Sequence, residues 1–526
     1  MYITDLSRNR HVKCDEEKPH CKRCVKSARR CEGYVENFSA VDQSGRAVYS
    51  IRNPTSHPGW NQTQQRTFDH FYTIAVPELD DYFDSEFWAH HVPQLGQSHP
   101  AIQHALMALG AAHKRSHLIR WNRGQSIGHY ENAIQKFSIQ EYSQAIQLLH
   151  KSISSQGQQP SMLAVALICC VVFTSIENIC GNVLAAQTHA ENGLKILNQW
   201  FMLHFESDQG LNDLAQHSSL NGSIFEVFIR IGNYLNVYHG TKLQPQVFLI
   251  TRDVPEEPNK PPVQKDLVPE DMRSRFLLRR NELFRIHMRL FIFADSDKYT
   301  EMPVDQVPSE AWETRAQLMK DLRDWVDTVD SEGYADDQSD PKTARAAIIY
   351  KMRCLIHIPR LRMWPNEEAT FGVIDEENDK DFLEILKAAR ALYSSEGTVT
   401  SVSNYKPGTV TEDEFDISAE SLESLIPVGI PTFTQESGII PCLYYAAMNS
   451  SIPIRQAAIT LLRRADSREG FISSVGAANV AQKRLDKMIA TGKREPVGLS
   501  GARTRTTLWG AIIDDEMRRF GDEKST

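Results

Sequence analysis

Four of the chain's nine cysteines fall within the eighteen residues CDEEKPHCKRCVKSARRC, from Cys14 to Cys31. Cys21, Cys24 and Cys31 are spaced C-x2-C-x6-C, and Cys14 lies seven residues before Cys21. Thiolates are strong ligands for a borderline-soft ion such as zinc, which takes four donors in a tetrahedral site. Met1 to Arg10 contains no apolar signal segment. Thiols this close in such a chain read as metal ligands rather than as a disulfide framework. The candidate ligands are therefore Cys14, Cys21, Cys24 and Cys31. Lysines and arginines fill the gaps between them, so the metal would organise a basic surface.

The cluster contains half of an internal repeat. A shift of seventeen residues brings Cys31 onto Cys14, Cys24 onto Ser7 and Cys21 onto Thr4. The second half is C-x2-C-x6-C; the first is T-x2-S-x6-C, with the spacing kept and two thiols missing. Basic residues fall in similar places: Arg8, Arg10 and Lys13 in one half, Lys26, Arg29 and Arg30 in the other.

This pattern resembles the fungal six-cysteine binuclear zinc cluster transcription factors. Their motif is C-x2-C-x6-C, a short loop with a proline, then C-x2-C-x6-C. Ser7 to Cys14 read like the first metal-binding helix with serine in place of cysteine, and Pro19 matches the loop proline. Cys21, Cys24 and Cys31 match the second half without a gap. The resemblance spans Arg8 to Tyr34. It implies two zinc ions sharing six thiolates, with the first and fourth cysteines bridging both. It also implies a helix in the DNA major groove that reads a CGG-like triplet. By that resemblance Arg10 and His11 occupy base-reading positions, and Arg8 and Lys13 are phosphate contacts. Arginine suits guanine because its fork reaches O6 and N7 together.

The sequence departs from the family at Thr4 and Ser7, the places of the first and second cysteines. Neutral hydroxyls are poor zinc ligands beside thiolates. Two zinc ions are expected if the cluster is complete, and zero or one as the chain reads. A single ion would take Cys14, Cys21, Cys24 and Cys31 in a rearranged loop. Either Met1 to about Leu6 is not the natural start and another first exon carries the missing pair, or the cluster is degraded.

Charge follows the same division. The 526 residues carry a net charge of -9, but residues 1–34 hold nine Lys and Arg against five Asp and Glu. The rest holds 49 against 62. A small basic head on an acidic body suits a polyanion met by the head alone. The basic run Lys22 to Arg30 also suits nuclear import, so the expected compartment is the nucleus. The longest uninterrupted apolar run, Met162 to Phe173, is too short to span a bilayer, so no membrane partner is expected. Cys169, Cys170, Cys180, Cys354 and Cys442 read as buried, reduced thiols.

We divide the chain into a zinc-cluster DNA-binding head (1–34), truncated or degraded at its N-terminus, a polar linker (35–59) and a helical regulatory domain (60–526). The linker shows no heptad pattern, so no coiled-coil dimerisation segment is expected there, and oligomeric state stays open. In the body, Phe68, Phe71, Tyr72 and Ala75 form a helical stripe that Pro77 is expected to end. Ile102, Ala105, Leu106, Leu109 and Ala112 repeat at i, i+3, i+4 and i+7 behind a start at Ser98 and Pro100. Tyr142, Ala145, Ile146 and Leu149 form a further apolar face. Helices are expected over Met162–Ile176, Leu184–Trp200, and about 270–294, 309–329, 341–364, 379–394, 439–449, 452–465 and 475–490. Convincing period-two strands are absent, so the fold class is all-α, built from helix pairs.

Three stretches resemble the regulatory domain that follows the cluster in many of these factors. They are Glu78 to His113, HAENGLKIL (His189 to Leu197), and Gly438 to Gly470. The last departs from the family where a Cys-Arg pair is common, with Asn449 and Ser450 there instead. His113 and His117 sit four apart and read as solvated helix histidines. His189 and Asn192 read as packing residues before a helix end at Gly193. The acid-plus-hydrophobic 411–426 has the composition of an activation segment, but reads first as a loop between helices. No Walker A loop, G-x-G-x-x-G, G-x-S-x-G or H-E-x-x-H occurs. The chain is therefore expected to be a zinc-dependent transcription factor for RNA polymerase II genes rather than an enzyme. Its expected partners are CGG-containing double-stranded DNA and the transcription machinery or co-regulators. The alternative is a helical protein-interaction regulator that has lost DNA binding.

Overall fold

The computed structural model describes residues 59–79, 87–122, 128–156, 159–204, 271–294, 302–336, 340–364, 376–395, 417–427, 430–434 and 438–492, with isolated positions between 220 and 231. The chain divides into two units, Met1–Trp60 and Asn61–Thr526. The described residues of the second unit are almost all helical, in line with the all-α expectation.

Helix α1 (Gln62–His70) opens on a reciprocal cap. Asn61 Oδ1 accepts from Gln64 N and Gln64 Oε1 accepts from Asn61 N, each at 3.0 Å, which satisfies two otherwise orphaned donors. The helix then widens into one π turn (Phe71–Ala75) and resumes over Val76–Leu79. Pro77 does not end it, contrary to expectation. The π turn bonds Val76 N to Phe71 O, so Pro77 falls in the first turn of the resumed helix, where a missing N–H costs little. Phe68, Phe71 and Ala75 are buried, whereas Tyr72 is exposed.

Helix α2 (Val92–Ser98) leads into α3 (Pro100–Asn122), whose Ile102, Ala105, Leu106, Leu109 and Ala112 are all buried as the spacing predicts. Gly110 lets α1 lie directly on α3: a Cβ there would stand 2.5 Å from Thr67 O and 3.0 Å from Phe71 Cβ. Helix α4 (His129–Gln156) packs along α3, and Ser138 Oγ donates to Ala108 O at 2.9 Å. Helix α5 (Pro160–Ile179) packs on α3 and on α6 (Val183–His204). By length and composition α5 could cross a membrane, yet 89% of its apolar window is buried inside the protein, as in the core helix of a bundle. Helix α6 does not end at Gly193. The glycine is there for close approach, because a Cβ would stand 2.5 Å from Phe228 Cε1 and 3.0 Å from Cys170 Cβ.

The second half continues with α7 (Met272–Ala294), α8 (Ser309–Ser331), α9 (Pro341–Met363) and α10 (Glu376–Arg390), each packed on the next. Asp340 caps α9 by accepting from Lys342 N and Thr343 N. Arg323 of α8 and Arg362 of α9 converge on the buried Asp381 of α10, at 2.5 and 3.1 Å. After the short α11 (Ala419–Glu423), α12 (Ile439–Asn449), α13 (Ile452–Ala465) and α14 (Ser474–Thr491) form a compact trio. The sequence expected no strands, but five two-residue pieces occur among the described residues. β1 (Ser394–Ser395) pairs antiparallel with β2 (Leu425–Ile426). β3 (Phe433–Thr434) runs parallel to β4 (Arg468–Glu469), which pairs antiparallel with β5 (Ile472–Ser473). A two-residue strand is too short to show a period.

Candidate functional site

The predicted head lies outside the described residues: Arg8, Arg10, His11, Lys13, Cys14, Cys21, Cys24 and Cys31 all fall there. Its chemistry is carried by the donor set. Four thiolates match the coordination of one tetrahedral zinc, while Thr4 and Ser7 supply hydroxyls where a two-zinc cluster needs thiolates. The residues present therefore do not fit the two-ion group.

In the body, a buried polar site joins α1 and α3 to the segment before β3. His113 of α3 is fully buried and stands between His70 of α1 and Glu78 of the resumed segment Val76–Leu79. Its Nδ1 faces His70 Nε2 at 3.2 Å, and its Nε2 faces Glu78 Oε2 at 3.3 Å. His117, one turn on, brings Nε2 to 3.5 Å from Glu78 Oε1. Thr432 N donates to Glu78 Oε2 at 2.6 Å. Arg120, a further turn along α3, donates to Ile430 O and Thr432 Oγ1 at 3.1 Å and to Pro427 O at 3.3 Å. The pair four apart is thus not freely solvated: the His113 side chain has no exposed surface and that of His117 is 23% exposed, against Glu78.

The electrostatics follow from burial. Desolvation pushes His70 down to about 3, with the neighbouring His113, Lys114 and His117 adding to it. Desolvation lowers His117 as well, against the pull of Glu78. Burial alone would raise the Glu78 carboxyl, but His113, His117 and Arg120 outweigh it and hold it at about 2. The site is an ionised carboxylate ringed by donors, which locks three segments together. Among the described residues no group of three or more His, Cys, Asp or Glu is arranged to hold a metal ion.

A second link ties α1, α3 and α4: Glu141 accepts from Gln64 Nε2 at 3.2 Å and lies 2.5 Å from His104 Nδ1. His189 of α6 meets Tyr142 Oη at 2.8 Å, joining α6 to α4, while Asn192 is exposed. Cys169, Cys170, Cys354 and Cys442 are buried as expected; Cys180, just past the end of α5, is exposed. Of the acidic stretch, residues 411–416 lie outside the described residues. Its end forms α11 and β2, with Leu422 and Leu425 fully buried, so those leucines are core rather than loop. Ser450, one of the two departures from the family pattern, donates to Ala446 O at 2.7 Å and accepts Arg455 Nε on its carbonyl at 2.6 Å. Sequence reading missed Glu78, Arg120 and Glu469. The Glu469 carboxylate accepts from Gly438 N, Ile439 N and Ile440 N at 2.7, 2.8 and 3.2 Å, capping α12 from β4.

Comparison with known proteins connects both units to one group. Residues 8–39 match the fungal Zn(2)-Cys(6) binuclear cluster domain, and residues 66–241 match the fungal specific transcription factor domain. The second match takes in two of the three stretches singled out in the body; Gly438 to Gly470 lies beyond it. The chain is 28% identical over 210 residues to the transcription regulator lscL of Purpureocillium lilacinum, covering 37% of this chain and 48% of that protein. It is 29% identical over 212 residues to the aspercryptin biosynthesis cluster-specific transcription regulator atnN of Emericella nidulans, covering 36% of this chain and 33% of the other. An uncharacterised transcriptional regulatory protein of Schizosaccharomyces pombe is 33% identical over 126 residues, covering 20% and 22%. The chain thus spans half or less of the length of each relative. No solved structure matches. The matched domains and relatives are those of transcription regulators, not enzymes. In order along the sequence, the chain is thus similar first to the fungal Zn(2)-Cys(6) binuclear cluster domain and then to the fungal specific transcription factor domain.

Proposed function

We propose that this protein is a zinc-dependent, sequence-specific regulator of RNA polymerase II genes that acts in the nucleus. The observation that carries this reading is the basic C-x2-C-x6-C cluster, matched over residues 8–39, followed by the regulatory domain matched over residues 66–241. In it Cys14, Cys21, Cys24 and Cys31 hold the metal. Arg10 and His11 read a CGG-like triplet, and Arg8 and Lys13 hold phosphates. Zinc supplies the cross-link that so small a head lacks in core. The helical body tunes activity or recruits co-regulators. One relative is named for a biosynthesis cluster, which supports a secondary-metabolite gene cluster as the target. The test is fluorescence anisotropy of the zinc-loaded chain on CGG-containing and scrambled duplexes. We expect a clear preference for CGG. Arg10→Ala should reduce it by about 1–3 kcal/mol, and Lys13→Ala should weaken both duplexes alike. Equal binding to the two duplexes by the unaltered, zinc-loaded chain would sink this reading.

Thr4 and Ser7 favour a second reading, in which the head no longer binds DNA and the body acts through protein partners. Metal binding separates the two: one zinc held by Cys14, Cys21, Cys24 and Cys31 supports DNA binding, whereas a chain that takes up no zinc supports the partner-acting body.

A further inference from the structure

Two histidines face each other where α7 meets α9. The rings of His287 and His357 lie with centroids 5.4 Å apart and planes at 66°. Aromatic pairs flank them along the same seam: Phe276 with Tyr350 at 6.1 Å, and Phe293 with Trp364 at 4.7 Å. Both series of positions rise together, so the two helices run in the same sense and the histidines stand between the aromatic pairs. His287 Nε2 and His357 Nδ1 are covered from solvent, and neither has a hydrogen-bond partner among the described residues. A neutral imidazole tolerates this, because one of its two nitrogens carries no proton and can be the covered one. An imidazolium does not: both nitrogens carry N–H, and the covered one becomes a buried donor with no acceptor.

Charge works in the same direction. The groups that bear on the rings are Arg353 on His287, and His287, Arg360 and Arg353 on His357. Burial first, and these neighbours second, push His287 down to about 3 and His357 well below its ordinary value. Among the described residues no acid acts on either ring. Glu282 of α7 is bonded to Arg279, Asp321 of α8 to Arg289, and Asp381 of α10 to Arg323 and Arg362. Helix α12, which also packs on α9, carries no acid. The other side of α7 is built differently. Arg279 pairs with Glu332 at 2.6 Å, just past the end of α8, and Trp325 Nε1 of α8 donates to Arg279 O at 2.9 Å. Carboxylates stay ionised over the range in which a hydrated histidine takes up a proton. Mild acid therefore acts on the α9 side of α7 and not on the α8 side.

We propose that the seam between α7 and α9 is a proton-sensitive latch, closed while His287 and His357 are neutral and released as they take up protons. The protons bind the open state, where both rings are hydrated and return to their ordinary value of 6.5. Between about pH 7.5 and pH 5.5 each histidine then raises the opening constant about 10-fold, and the pair about 100-fold. The device belongs to the body and does not depend on whether the head binds DNA. The test is amide hydrogen exchange read by mass spectrometry on the full chain at those two pH values, corrected for the intrinsic pH dependence of exchange. Protection of α7 should fall about 100-fold relative to α13, which holds no histidine. In the double variant His287→Gln/His357→Gln that relative fall should vanish. Equal changes in α7 and α13, or the same relative fall in the double variant, overturn the proposal. A second measurement needs no variant: exchange of the histidine C2 protons in the unaltered chain, which reads the titration of each ring. Both rings should titrate below about pH 5.5, and a midpoint near the ordinary value for either one overturns the latch.

Discussion

Glu78 ties α1 to α3 through His113 and His117 and to the segment before β3 through Thr432 N. Its carboxyl is held at about 2 against an ordinary value of 4.5. The stability it contributes is therefore complete above pH 4.5 and is lost as pH falls toward 2. His70 sits at about 3 against an ordinary 6.5. The unfolded chain takes up that proton first, so stability also falls as pH drops from 6.5 toward 3. Both groups act in the same direction. We expect the melting temperature to decline steadily from pH 6.5 downward, and His70→Asn to flatten the decline between pH 6.5 and 5. An unchanged slope in that variant would remove His70 from the account. Glu78→Ala should cost about 3 kcal/mol in urea unfolding at pH 7, since it strands buried donors. In the sequence the two histidines four apart were legible as one helix face. Their burial was not, because Glu78 lies 35 residues before His113 and 354 before Thr432. Spacing within a helix reports which residues share a face; it does not report what that face meets.

At the scale of elements, α1 and α3 approach so closely that Gly110 has no room for a methyl group. The nearest atom, Thr67 O, belongs to the backbone and cannot rotate aside. Gly110→Ala must push α1 away from α3 and loosen the His70–His113 contact with it. We expect a loss of about 2–3 kcal/mol by urea unfolding, despite alanine's better helix propensity. A neutral or stabilising result would mean that the two helices stand further apart. Helix positions were the most legible feature of this chain: α12 and α13 are bounded as the apolar periodicity predicts. Misreadings arose where a local signal had a distant cause. Gly193 resembles a helix stop, yet it serves the approach of Phe228 within a helix that continues to His204. Pro77 resembles a stop, yet a π turn places it where a proline is tolerated. Ile146 shares an apolar face with Ala145, yet only the alanine is covered.

At the scale of the whole molecule, the charge division supports the proposal that DNA contact falls to the head. A body with 49 basic against 62 acidic residues repels a polyanion, so affinity must come from the few cations around the cluster. On the proposed reading those cations act only when bound metal holds the head together. The ligand set Cys14, Cys21, Cys24 and Cys31 and the gaps at Thr4 and Ser7 are readings of the sequence, and they lie outside the described residues. The decisive comparison is therefore between the chain as it stands and the double variant Thr4→Cys/Ser7→Cys. Metal analysis should give at most one zinc per chain in the first and two in the second. In the double variant, CGG-containing duplex should be bound more tightly than scrambled duplex. Removing Lys13 should lower the salt dependence of binding by a slope of about 1. If the double variant gains its second zinc but still ignores the triplet, the basic helix does not enter the groove. Regulation by this protein would then run through its helical body and the partners that body holds.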